Sequence, residues 1–221
     1  MTFDAATINM LIAGIGESLF MVLTSSFFSY LFGLPLGIIL VVTDKDGIYP
    51  IPWLCRSLGL IINLLRSVPF IILLIMVMPL TRLIVGTTLG PKAIIPPLVI
   101  GAAPYVARVV ESSLKEVDSG VMEAAKSMGA SAFQIVWKVL LPEAKPSLLI
   151  GAALSVTTIL AYSAMAGFVG GGGLGDIAIR YGYHRYQTEM MLVTVVILVI
   201  IVQGIQETGM RMSRKSDKRI R

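Results

Sequence analysis

Apolar residues in this chain come in long blocks rather than alternating with polar ones. Five blocks stand out, at 18–42, 58–85, 93–110, 148–168 and 190–205. A fully buried strand runs only about 4–8 residues, whereas about 20 apolar residues of helix cross the hydrocarbon of a bilayer. The pattern predicts an all-α integral membrane protein: five transmembrane helices in one domain spanning 1–221. Prolines at 35, 69, 79, 96, 97 and 104 fall within the blocks. They predict kinks, which neighbouring helices tolerate in lipid.

One stretch, 118–142 between the third and fourth blocks, breaks the pattern with a polar elbow. Asp118 or Ser119 is placed to cap a helix whose first N–H groups lack partners, and Glu123 suits its positive end. Gly129 can take the left-handed conformation that stops that helix. Ser131 and Gln134 have capping-box spacing, so a second helix starts at once. Phe133, Val136, Val139 and Leu140 give that helix an apolar stripe. Pro142 is expected to end it, and Pro146 to open the next span. The first helix is expected to expose Ala124, Ala125 and Gly129, small residues that allow close approach by another surface. Spacing alone leaves two uses open, docking of a soluble partner or lying on lipid.

Composition supports the membrane. The 221 residues are 56% hydrophobic and 14% charged, against about 25% charged in soluble domains, and mean hydropathy is +0.85. A net charge of +5 would also suit nucleic acid, but the basic residues are sorted by loop. Arg82, Lys92, Arg180 and Arg185 fall on one side. Lys45, Arg56, Arg108, Lys115, Lys126, Lys138, Lys145 and the six bases of the tail from Arg211 fall on the other. Positive loops stay in the cytoplasm, so the N-terminus is expected outside and the C-terminus inside. The basic tail follows a span directly, where anionic lipid attracts each base by about 1 kcal/mol; no nucleic-acid partner is expected. The first twenty residues hold Asp4 and Glu17 but no Lys or Arg, unlike a cleaved signal. The single Cys55 forms no internal disulfide and reads as apolar filler.

Candidate chemistry is sparse. Gly170 to Gly175 formally satisfies G-x-G-x-x-G, but no strand precedes it as a dinucleotide site requires; a flexible, tightly turning outer loop is the expectation. No G-x-x-x-x-G-K-[ST] occurs, so an ATP motor would be a separate chain. Arg66 lies inside the second block, where a base usually faces the bundle interior, snorkels or contacts substrate. Tyr162 and Met165 share a face of the fourth span, and a thioether suits flexible or sulfur-bearing ligands. His184 stands alone, without metal-ligand spacing. No catalytic residue and no bound cofactor or metal is expected.

The order Glu123-Ala124-Ala125, three residues, Gly129, nine residues, Val139-Leu140-Leu141-Pro142 resembles the EAA loop of the membrane subunits of binding-protein-dependent ABC importers. Val139 stands where the pattern has isoleucine. The stretches Leu65 to Arg82 and Ala161 to Tyr186 look like the methionine-import permeases of that family. The resemblance implies a type I-like importer permease. In it Glu123, Ala124, Ala125, Gly129, Leu141 and Pro142 form an ATPase-coupling loop, and the stretch holding Tyr162 and Met165 faces the central cavity. It also implies two ATPase subunits that use ATP, an extracytoplasmic substrate-binding protein, and a second copy of the chain. Methionine in either enantiomer is the implied cargo, moved inward by alternating access. Another small amino acid, an osmolyte, an ATP-independent secondary carrier and a scaffold for a cytoplasmic enzyme are the alternatives.

Overall fold

A computed structural model of the chain describes residues 4–217. The described residues are helical, with no strand among them. Ten α-helices follow one another. They are α1 (Ala5–Thr43), α2 (Pro52–Ser67), α3 (Phe70–Val85), α4 (Pro91–Lys115), α5 (Ser119–Ser127), α6 (Ala132–Ile135), α7 (Leu141–Glu143), α8 (Lys145–Met165), α9 (Gly173–Ile177) and α10 (Thr188–Ser216). π-helical turns occupy Val136–Leu140 and Ala178–Tyr183, and a 3₁₀ turn occupies Ala166–Val169. Four helices are long and apolar enough to cross a membrane, or five if the bent pair α2 and α3 counts as one span. Leu23, Phe27, Leu31 and Phe32 on α1, and Leu192, Val196 and Ile200 on α10, leave large side chains exposed. Apolar surface of that extent is costly in water and at rest in lipid.

Two differences from the sequence expectation concern the spans. The block at 58–85 folds as two helices that bend by 103°. Pro69 caps α3 with φ −57° and ψ 133°. A proline disfavours the α conformation in the residue before it and lacks an N–H for the preceding turn, so α2 stops at Ser67 and a new helix begins. The prolines at 35, 79, 96, 97 and 104, by contrast, ride inside continuous helices. The first helix starts at Ala5, well before position 18, because Asp4 caps it: its carboxylate accepts the Thr7 N–H at 2.9 Å and the Thr7 hydroxyl at 2.7 Å.

The chain forms two compact units. The first joins the stretch ending at Phe28 with Val68–Ala102 and Val156–Ile205. Met21, Leu74, Ile94, Leu98 and Ile159 make its fully buried core. Its glycine segment turns tightly, as expected, and hydrogen bonds tie it to α1. Gly170, Gly172 and Gly173 take φ of 75°, 78° and 75°, conformations that cost any other residue. Glu17 accepts the Gly173 N–H at 2.7 Å, and the Ser18 hydroxyl accepts that of Leu174 at 2.9 Å.

The second unit joins Ser29–Ser67, Ala103–Ser155 and the chain from Gln206 onward. Here α1 lays Gly33 and Gly37, spaced at four residues, against Ala103, Val106, Ala107 and Val110 of α4, the small-residue packing that lets membrane helices approach closely. A Cβ on Gly37 would lie 2.7 Å from the Ala107 carbonyl oxygen and from the Val110 side chain. Gly37→Leu is therefore expected to destabilise this unit by about 2–3 kcal/mol through overpacking, read as a lowered melting temperature of the purified protein. Val106, Val110, Leu114, Val136 and Leu140 form the core beneath.

Candidate functional site

The polar elbow belongs wholly to the second unit. The Asp118 carboxylate accepts the Gly120 N–H at 2.7 Å and opens α5. The helix closes at Gly129, φ 76°, where the Ala130 N–H reaches back to the Ala125 carbonyl at 3.2 Å. The expected capping box is present. Gln134 N–H donates to the Ser131 hydroxyl at 3.3 Å, and the Gln134 side-chain oxygen accepts the Ser131 N–H at 2.9 Å. These paired ends leave little slack between α5 and α6, so the elbow is a rigid body.

Pro142 does not end the second helix. The turn before it widens to π geometry, with the Leu141 N–H bonding to the Val136 carbonyl. The wider turn gives the ring room, and a proline in the first turn of α7 needs no N–H. The chain then runs through Ala144, whose N–H reaches Leu140 at 3.0 Å, into α8. The apolar stripe departs from the expectation at Phe133. Ile135, Val136 and Leu140 are buried, while Phe133 is 72% and Trp137 57% exposed, stacked at a tilt with ring centroids 6.0 Å apart. Leu141 is half-buried, and Pro142 is exposed.

The face of α5 also differs in one member. Ala124 and Gly129 are exposed as expected, and so is Glu123, but Ala125 is buried. Val121 and Met128 complete the outward face with Ala124: a patch of small and flexible apolar side chains with the Glu123 carboxylate beside it. Beside the elbow lies a cleft of about 640 Å³, lined among others by Glu116, Val121, Lys138, Pro142 and Ser213.

Behind α5 runs a chain of polar contacts that the sequence reading missed. The Lys126 ammonium donates to the Gly47 carbonyl at 3.3 Å. In the same turn the Asp44 carboxylate meets Lys115 at 2.8 Å. Lys115 also meets Glu111 at 3.0 Å, and Glu111 accepts Arg108 at 2.6 Å. Arg108 goes on to the Gly59 carbonyl at 3.0 Å and the Asn63 side chain at 2.9 Å. The hydrogen bond from Lys115 holds the Asp44 carboxyl below the ordinary aspartate range. That link is complete at neutral pH and is lost only as pH falls through the depressed value. The spacing Arg-x-x-Glu-x-x-x-Lys on one helix face was the available signal.

The remaining candidates divide between the units. Arg66 lies in the last turn of α2, exposed beside the break. Its guanidinium stands 5.9 Å from the centre of the Tyr105 ring, in the last turn where a cation suits the helix dipole. Tyr162 and Met165 belong to the first unit. The Tyr162 ring stacks on Phe70 with centroids 4.3 Å apart and planes within 2°, while Met165, ending α8, is 45% exposed. His184 packs its edge on Tyr183, centroids 5.2 Å apart, and Cys55 donates weakly to the Leu40 carbonyl. The last residues of the basic tail, 218–221, lie outside the described residues.

Comparison with known proteins matches residues 33–221 to the family described as the binding-protein-dependent transport system inner membrane component. The "Probable D-methionine transport system permease protein MetI" of Vibrio cholerae serotype O1 is 49% identical over 211 residues, 96% of this chain and 94% of the relative. The "D-methionine transport system permease protein MetI" of Escherichia coli K12 is 48% identical over 158 residues, 72% of this chain and 73% of the relative. Among solved structures, the MetNI methionine ABC transporter in an inward-facing conformation superposes with a TM-score of 0.96 at 45% identity, covering 97% of this chain and 100% of the other. An amino acid ABC transporter shares the fold at a TM-score of 0.77 and 19% identity, covering 97% and 100%. The elbow on its polar footing thus sits in a permease fold of the type I importer kind, and the chain belongs to the family of inner membrane components of binding-protein-dependent transport systems.

Proposed function

We propose that this chain is the permease subunit of an ATP-driven importer that carries methionine, in one or both enantiomers, inward across the cell membrane. The observation that carries the reading is the elbow: a capped, rigid pair of short helices whose outward face offers Val121, Ala124 and Met128 beside Glu123. Relatives about half identical over nearly the full chain are named for methionine transport, which supplies the cargo.

In this reading the subunit is not itself an enzyme. The sequence carries no P-loop, so two copies of a separate ATPase subunit bind and hydrolyse ATP. A second copy of the chain supplies the partner spans and the second elbow, the least demanding closed symmetry. An extracytoplasmic binding protein delivers the solute. Glu123, Ala124, Ala125 and Gly129 set the docking helix, Ala125 from beneath, while Leu141 and Pro142 shape its link to α8. The sorting of basic residues puts the elbow and C-terminus in the cytoplasm and the N-terminus outside. Arg66, Tyr162 and Met165 are assigned to the substrate path, Met165 offering its exposed thioether. ATP drives the cycle because it binds one arrangement of the assembly preferentially, and the elbows pass that preference to the spans.

The test is uptake of labelled L- and D-methionine into vesicles holding this chain with its ATPase and binding protein. ATP-dependent methionine uptake, suppressed by excess unlabelled methionine, is expected. Robust transport of another amino acid or an osmolyte with none of methionine would reject the cargo and keep the importer.

A further inference from the structure

We propose that Glu111 is the hub of a polar relay that carries movement of the docking helix to α2, making it a positioning residue for transport. The inference rests on the importer reading above and assigns how one unit of the fold transmits the motion.

The relay is continuous within the second unit. It begins on α5 at Lys126, crosses to the Gly47 carbonyl, and enters α4 through Asp44 and Lys115. It reaches Glu111 and Arg108, and leaves to α2 at Gly59 and Asn63. Charges alternate along it: Asp44, Lys115, Glu111, Arg108. Every link after the first is 3.0 Å or shorter. Glu111 is the most enclosed member, its side chain 12% exposed, and each of its two oxygens takes a different cation. The backbone is shaped around the ends. A Cβ on Gly59 would come within 3.3 Å of the Arg108 guanidinium, and one on Gly47 within 2.5 Å of the Val42 carbonyl. Ionisable groups of membrane segments that pair in this way are costly to keep for packing alone. Ion pairs between packed helices also have discrete arrangements, so they pass a shift on rather than absorb it.

The experiment uses the whole complex, with ATP hydrolysis and labelled methionine uptake measured in the same vesicles. Glu111→Gln is expected to cut methionine moved per ATP by about tenfold, while hydrolysis stays near the wild-type rate. Asp44→Asn, toward the exposed end, is expected to produce a smaller loss. The double variant should be no worse than Glu111→Gln, because both act on one chain of contacts. A parallel fall of uptake and hydrolysis, unchanged coupling in the variants, or additive losses would each overturn the relay. Should Glu111→Gln fail to assemble, Asp44→Asn and Lys126→Met at the surface carry the same comparison. Wild-type vesicles separate the two levels: if they hydrolyse ATP without moving methionine, the importer reading itself fails.

Discussion

Placing a charge in the middle of the docking face, Ala124→Arg, is expected to abolish ATP-driven uptake. Ala124 is exposed on α5 between Val121 and Met128, so a long cation there costs the monomer nothing in packing. At a tightly fitted interface it adds bulk and a desolvated charge, and central interface positions commonly carry 2–4 kcal/mol, or about 30- to 1,000-fold in affinity. Membrane insertion and melting temperature of the isolated chain should stay at wild-type values, while copurification of the ATPase is lost. Ala125→Arg should behave differently. Ala125 is buried, so that substitution should lower stability as well.

Gly175→Leu is expected to do the most damage to the first unit. Gly167 and Gly175 meet backbone to backbone, and a Cβ on Gly175 would overlap the Ala164 carbonyl oxygen, an atom that cannot rotate away. Overpacking of this kind costs about 3 kcal/mol or more, a large share of the stability of a unit this size. Loss of the folded protein after purification, or a melting temperature lowered by many degrees, is the expected outcome. Gly16→Leu is the control, since a Cβ there meets no atom within 4 Å.

What could be read from the chain alone was whatever depended on neighbours in sequence. Asp118, Gly129 and the Ser131–Gln134 pair act through backbone groups within three or four residues, and they stand in the structure as the caps they resembled. The long apolar blocks gave helices for the same reason. What could not be read depended on packing. Pro69 breaks a helix while Pro35, Pro79 and Pro104 do not, because whether neighbours absorb the missing hydrogen bond is a tertiary matter. Phe133 shares the stripe spacing of Val136 and Leu140 yet stays exposed while Ile135 is buried, because which side of a short helix meets a neighbour is set by packing. Ala125 and Ala124 are the same residue type with opposite burial. Arg108, Glu111 and Lys115 carried a readable spacing, but their link to Asp44, Gly59 and Asn63 joins residues more than forty positions apart.

The claim on which the account turns is that α5 is gripped by a separate ATPase subunit. The most direct measurement places a photo-reactive cross-linker on that face, using Met128→Cys in a Cys55→Ser background, since Cys55 is the chain's one native cysteine. Illuminated in native membranes, the probe is expected to join this chain to one protein, the nucleotide-binding subunit, with a yield that changes when ATP is trapped. Adducts formed with phospholipid alone, and none with protein in any nucleotide state, would contradict the account.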